Sequence, residues 1–484
     1  MKICLLFAGL FCFQLLQAQS PALIPGDFAD PSIVKTGNGY YAVGTSSEWA
    51  PHFPIYQSAD LKNWKQVGFV FDKAPEWTSG SFWAPEYYFH NNTYYVYYTA
   101  RRKSDGISCI GVATSKNPDR GFTDHGVVVS YGKEAIDAFV YNDNGQLYMT
   151  FKAYGLDKRP IEILGSKLSA DGLKMEGEVF SLLKDDNRMG MEGQSILKKG
   201  NYYYLFYSSG GCCGSGCSYH VRVARSTNIK GPYEDYGQNP VLDANEAWKC
   251  PGHGTFVEDK MYIYHAYNKK SNVFTGREGM MAELVWKEDA WPSLVSRPVA
   301  NSAAGNIKGL TPFWQWDFRN STPVVSRSKK MLYLSGTSKE GNNTGIVLTV
   351  RPVRDDFDVM TTVTNWNAAL KGLAFYGDAH AAVGIGVIND KVEFWMVKEN
   401  VRTVLGTQAV KPGVPVQLKL TMHADRTCEV AYRQGGSAWQ AVAPGVKQDI
   451  GFLPQWDRSP RPGLHFKGPE NLKAAFSSFE LVNR

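Results

Sequence analysis

The chain has 484 residues, of which 43% are hydrophobic and 20% charged, with a formal net charge of +6. That length suits about two domains at roughly 100–200 residues each and allows a sizeable core. Lysine and arginine are scattered without a basic run, which argues against a nucleic-acid partner and for an uncharged one.

The N-terminus opens Met1-Lys2, continues in an apolar run from Ile3 to Leu16, and reaches Leu16-Gln17-Ala18. A basic start, an apolar stretch and a small-residue cleavage site predict a signal peptide over 1–18 and a secreted or periplasmic protein. Neither Cys4 nor Cys12 follows the small residue of a lipid-anchor signal. No later run reaches the roughly 20 apolar residues of a membrane helix, so no membrane partner is expected.

From residue 19 to about 300 a repeat organises the chain. Each unit opens on a short polar or acidic motif, runs into an apolar strand, turns, and continues in an aromatic strand. The first is Ala29-Asp30-Pro31-Ser32-Ile33-Val34, with a turn at Thr36–Gly39 and then Tyr40–Thr45. The second is Trp83-Ala84-Pro85-Glu86 to Phe89, turning at Asn91-Asn92 into Tyr94–Thr99. The third opens on Ile136-Asp137, turns at Asn142–Gly145 and continues Leu147–Phe151. The fourth opens on Glu192-Gly193 before Tyr202–Tyr207, and the fifth on Gly252-His253-Gly254 before Met261–His265.

The opening residues Asp30, Trp83, Asp137, Glu192 and His253 lie 53, 54, 55 and 61 residues apart. Periods of this kind mark propeller blades. An all-β, five-bladed β-propeller is therefore predicted over 19–300. In a propeller the innermost strand of every blade runs along the central channel, so equivalent residues of each unit face one another there.

The fourth unit leads into Cys212-Cys213-Gly-Ser-Gly-Cys217. This loop lacks the paired C-x-x-C or added histidines of a zinc site, and a disulfide-pinned loop is the expectation. Its connectivity is not legible. Beyond the small-residue linker Asn301–Asn306, short alternating strands without the earlier period, among them Phe357–Val363, Val392–Val397 and Ala475–Leu481, predict a β-sandwich over 301–484.

Units one, three and four each carry a carboxyl at the inner-strand start: Asp30, Asp137 and Glu192. Glycosidic hydrolysis needs one carboxyl protonated and one ionised on either side of the bond. A third nearby carboxylate raises the acid's pKa. Each residue alone has an ordinary structural explanation, but three in one register of a repeat point to a site.

Together Ala29-Asp30-Pro31-Ser32, Ser58-x-Asp60-Leu61-x-x-Trp64, Trp83-Ala84-Pro85-Glu86, Ile136-Asp137, Glu192-Gly193 and Pro251-Gly252-His253-Gly254 resemble glycoside hydrolase family 43 in order and spacing. The resemblance spans roughly residues 25–295. It implies an inverting, usually exo-acting enzyme on pentose-containing plant polysaccharides or related furanosides. On it, Asp30 corresponds to the general base, Glu192 to the general acid, and Asp137 to the residue that tunes and orients the acid. Inversion calls for a carboxyl separation of about 6.5–9.5 Å.

The same resemblance makes Trp83 an aromatic face of the sugar pocket and Arg277 a binder of sugar hydroxyls, against core packing and a solvated charge as their plain alternatives. Glu86 and Arg222 are weaker candidates. His253 corresponds to a histidine at the channel centre beside a water or a structural calcium, and no cofactor is required for catalysis. The sequence departs from the usual pattern after Asp137, where Ala138-Phe139 stands for Pro-Ser, and after Glu192, where Gly193-Gln194 stands for Gly-Pro. The paired cysteines are similar to those of some members and imply an oxidised vicinal pair. The C-terminal region resembles the concanavalin-like (jelly-roll) sandwich appended to several members.

The expected activity is α-L-arabinofuranosidase, with β-xylosidase, β-D-galactofuranosidase and exo-β-galactanase as alternatives on the same scaffold. A non-catalytic carbohydrate-binding propeller is the rival from another class, and it would have no need for an acid and a base. A sialidase-like propeller would need an arginine cluster and recurrent Asp-box turns, which are missing. The sequence sets no oligomeric state.

Overall fold

The computed structural model describes residues 22–154, 161–296, 305–328 and 330–484. The expected signal peptide and the boundary at 300/301 lie outside them. Among the described residues the only helix is one turn at Asn272–Phe274, and no helix is long and apolar enough to cross a membrane.

The N-terminal part forms five four-stranded antiparallel units, each in simple sequence order. Their innermost strands are Ser32–Thr36, Thr78–His90, Glu134–Asp143, Met191–Lys199 and Trp248–Val257. Blades 2 and 3 are also joined by a single pairing, Glu134 with Ser108. Each innermost strand touches the next, and the fifth returns to the first, so the ring is closed. The N-terminal segment seals it, with Leu23 N–H donating to Gly279 O on the third strand of blade 5 at 2.8 Å.

The aromatic second strands follow from this ring. A blade is covered on both faces, so alternate residues of a strand enter two different interblade cores. In blade 2, Val96 and Tyr98 pack with Val43, Phe53 and Ile55 of blade 1, whereas Tyr95 and Tyr97 pack with Val140, Met149 and Phe151 of blade 3. Similar cores join blades 3 and 4, 4 and 5, and 5 and 1.

The C-terminal part is two antiparallel sheets. One contains Ser321–Ser328, Met331–Ser338, Phe357–Val363, Val416–Met422, Thr427–Gln434 and Ala474–Asn483; the other contains Ile346–Thr349, Leu370–Asp378, Ala381–Ile388, Lys391–Lys398, Val401–Ala409 and Arg461–Lys467. Val359, Leu418, Leu420 and Phe476 of the first share one core with Leu373, Phe375, Ile385 and Leu464 of the second. The outer face of the second sheet packs against the propeller, where Trp49 joins Leu370, Ala374, Tyr376 and Trp395. Strand Leu370–Asp378 is therefore buried on both faces up to its last residue.

Candidate active site

Every blade carries one left-handed residue where its inner strand meets the axis: Asp30 (φ 51°), Ala84 (44°), Asp137 (60°), Gly193 (58°) and His253 (42°). In blades 2 to 5 the strand pairing slips at this point, between Trp83 and Glu86, Ile136 and Phe139, Glu192 and Ser195, and Gly252 and Thr255. A bulge adds an unpaired residue and re-aims side chains. Left-handed non-glycine backbone costs of order 1–3 kcal/mol and persists only where surrounding structure enforces it. At Gly193 a Cβ would lie 2.8 Å from Cγ of His253, so any side chain there forces a shift.

Asp30, Trp83, Asp137, Glu192, His253 and Arg277 line one cavity of about 380 Å³, a size typical of small-ligand sites. Asp30 is buried and fully engaged. Oδ2 accepts from Thr45 Oγ1 at 2.6 Å and Oδ1 from Arg277 Nη1 at 3.2 Å. The Asp30 N–H donates to His265 Nδ1 at 3.0 Å. Burial alone would raise its pKa, but Arg277, His253 and His265 outweigh it and hold the carboxyl well below the usual range. Asp30 is thus an ionised acceptor.

His253 Nδ1 lies 3.5 Å from Asp30 Oδ1 and 3.6 Å from Asp137 Oδ2, between the two carboxyls. Asp137 Oδ2 accepts from Gly193 N–H at 2.9 Å, which ties blade 3 to blade 4 beside Glu192. Burial pushes the Asp137 pKa up to about 7 against the pull of His253, with Glu192 adding to the rise.

Glu192 behaves differently from the expectation that crowding raises it. Oε2 accepts from Lys152 Nζ at 2.8 Å and Oε1 from Tyr219 OH at 3.1 Å. Burial raises its pKa, but the Lys152 ammonium and its hydrogen bond overcome that and leave Glu192 below the ordinary carboxylate value. The raised carboxyl of this pair is Asp137.

Arg277 is buried. Besides Asp30 it reaches the Asp457 carbonyl, with Nη2 donating at 3.1 Å. Trp83 lines the cavity and donates from Nε1 to Asp457 Oδ2 at 3.0 Å, with the Trp456 ring 6.4 Å away edge-on. Glu86 and Arg222 do not line this cavity. Glu86 is bonded by Ser32 Oγ at 2.6 Å, and Arg222 pairs with Tyr207 and Asp235 within blade 4.

Several lining or supporting groups are absent from the repeat reading. Lys152, His265 and Tyr219 come from second strands or their loops, and Asp457 and Trp456 from the C-terminal part. Lys152 carried one signal, a charge inside an otherwise apolar strand. Asp457 and Trp456 carried none. Calcium takes about six to eight oxygen ligands. The residues around His253 do not provide such a protein cage, and no cluster of three or more metal-binding side chains occurs among the described residues.

Cys212 and Cys213 form a vicinal disulfide on the cavity wall, and Cys217 is bonded to Cys250 of blade 5. Cys109 and Cys428 are free and buried.

The family profile for glycosyl hydrolases family 43 matches residues 20–292. The chain is 29% identical over 320 residues to the extracellular exo-α-(1→5)-L-arabinofuranosidase ArbA of Cellvibrio japonicus, covering 58% of this chain and 90% of that one. It is 28% identical over 287 residues to the extracellular endo-α-(1→5)-L-arabinanase 1 of Bacillus subtilis, covering 54% and 86%. Among solved structures, the xylan β-1,4-xylosidase of Bacillus halodurans C-125 superposes with a TM-score of 0.81 at 22% identity, covering 95% of this chain and 99% of that one. That likeness extends the shared fold through the C-terminal sheets.

Proposed function

The chain belongs to glycosyl hydrolase family 43, and from that premise we propose that it is a secreted, exo-acting glycosidase of plant cell-wall polysaccharide, releasing terminal α-L-arabinofuranosyl units. The observation that carries the reading is the convergence of Asp30, Asp137 and Glu192, from three blades, in one cavity, where Asp30 and Glu192 are held low and Asp137 is pushed up. Export is supported by the N-terminal sequence and by the word extracellular in the names of two relatives.

In this reading Asp30, kept ionised by Arg277 and oriented by Thr45, accepts a proton from the attacking water. Glu192, ion-paired with Lys152, donates to the departing glycosidic oxygen after taking up a proton from solvent, and so returns to the carboxylate that Lys152 holds. Asp137 neighbours Glu192 through the Gly193 N–H and holds a proton near neutral pH, so the pair keeps one proton in reserve while Asp30 has none. Attack from the Asp30 side and departure on the Glu192 side invert the anomeric centre. The exo reading is supported by the C-terminal loop at Trp456-Asp457, which covers the Trp83 and Arg277 side of the cavity.

A panel of aryl α-L-arabinofuranoside, β-D-xyloside and β-D-galactofuranoside tests this, with the first-formed anomer followed by NMR. The expected result is preference for the arabinofuranoside and an inverted first product. Preference for the xyloside would replace the substrate, and a retained anomer would overturn the mechanism. Asp30→Asn and Glu192→Gln should each lower kcat by about 10³-fold while leaving the thermal transition intact.

A further inference from the structure

Cys213 and Trp456 line both the active-site cavity and a second cavity of about 430 Å³ on their other side. Four segments build the second cavity: the loop Cys213–Gly216, the turn at Asn272–Phe274, and two C-terminal loops, one carrying Arg426 and the other Gln455.

Its chemistry suits sugar hydroxyls. Asn272 and Gln455 bring side-chain amides to its lining. The exposed Arg426 guanidinium lies over the Phe274 ring at 6.0 Å. Among the described residues no carboxylate lines the cavity. The loop wall is fixed before any ligand arrives. Both disulfides pin it, Gly214 N–H donates to Tyr267 OH at 3.1 Å, and Lys249 Nζ donates to Ser215 O at 3.1 Å. A preformed wall reduces the ordering cost of binding.

The side of the bond on which this cavity lies follows from Glu192, and so rests on the proposed function. The general acid must face the departing oxygen. Glu192 pairs with Ser208, and that strand runs on through Ser209 and Gly210 into Cys212-Cys213. The leaving saccharide therefore meets the disulfide and Trp456 first, and the second cavity next.

We infer that the second cavity is a distal leaving-side subsite for a sugar unit of an oligosaccharide or polysaccharide, the third unit counted from the non-reducing end. The enzyme then favours chains of three or more units over shorter substrates.

The test is kcat/KM on the aryl glycoside and on the di-, tri- and tetrasaccharide of the cleaved sugar, for the wild type, Arg426→Asn and Gln455→Ala. Asparagine is chosen because Arg426 has φ 66°, a conformation asparagine tolerates. Loss of a charged hydrogen bond corresponds to about a tenfold change. The expected result is a rise of about tenfold from disaccharide to trisaccharide in the wild type that is lost in at least Arg426→Asn. A flat chain-length profile in the wild type, or an undiminished rise in both variants, would overturn the inference. No turnover of any glycoside would instead overturn the functional reading, and the inference with it.

Discussion

Lys152 decides where the proton of the carboxyl pair resides. Its ammonium lies 2.8 Å from Glu192 and 3.6 Å from Glu134, nearly buried, and pulls the Glu192 pKa down. Lys152→Met removes that pull, so Glu192 holds its proton to higher pH. The basic limb of the kcat/KM profile should move up by about one pH unit or more, and an unmoved limb would sever Lys152 from the acid. Glu86 gives a second titration test, on stability. Burial pushes it up to about 8, against the pull of Ser32. Its folded pKa exceeds its unfolded one, so the native state binds the extra proton. Stability is full below the unfolded value and falls as pH rises through the window up to about 8. Glu86→Gln, neutral in both states, should flatten that fall by about 1.4 kcal/mol per pH unit in denaturant titrations across the window. Asp30, Asp137 and Glu192 were legible because the repeat gives them a common register. Lys152 and Tyr219 were not, since their closeness to Glu192 depends on how second strands and loops pack across blades.

The bulged inner strand is the element that converts a repeat into a site. The alternation of Tyr95 and Tyr97 with Val96 and Tyr98 is written in the sequence, because a strand covered on both faces needs large apolar groups on each. The left-handed turn at Asp30, Ala84, Asp137 and His253 is not, since aspartate and histidine tolerate positive φ without requiring it and alanine disfavours it. Gly193 is the exception that needs glycine. Gly193→Ala should force its methyl against His253 and displace the N–H that Asp137 accepts. The expected outcome is a fall in kcat of about tenfold or more with the blade intact by circular dichroism; unchanged kcat would show that the bulge does not position the pair. The Cys217–Cys250 disulfide joins two blades across a sequence separation of 33. The cysteines announced a pinned loop, but the pairing required the blade-5 strand to lie beside it. Removing both by serine substitution should cost about 2–4 kcal/mol in equilibrium unfolding under oxidising conditions.

At the scale of the whole molecule, the C-terminal sheets complete the propeller's site. Their presence was legible from the loss of the repeat period, whereas their contact with the site was not, because Trp456-Asp457 sits in an irregular loop with no periodic signal. Asp457 bonds to Trp83 and Arg277, and Arg277 holds Asp30, so the seat of the proposed base depends on how the two parts are joined. The joint is polar and buried. Arg461 Nη1 donates to Gln315 Oε1 at 2.6 Å, Gln315 Nε2 donates to Pro51 O at 2.8 Å, and Arg461 Nη2 lies 3.5 Å from Asp27 Oδ2. Arg461→Met removes a buried charge and leaves Asp27 with backbone donors alone, a truncation that costs about 3–5 kcal/mol. Asp27→Asn removes the opposing charge, so the double variant should recover part of the loss through the coupling of the pair. Calorimetry should show the single variant unfolding earlier than the wild type and in a broader or divided transition, as the sheets lose their hold on the propeller. Because Arg277 and Asp30 loosen together, kcat should fall in the same variant and return in the double one. A sharp transition at the wild-type temperature in Arg461→Met would show that apolar packing around Trp49 joins the two parts without this pair.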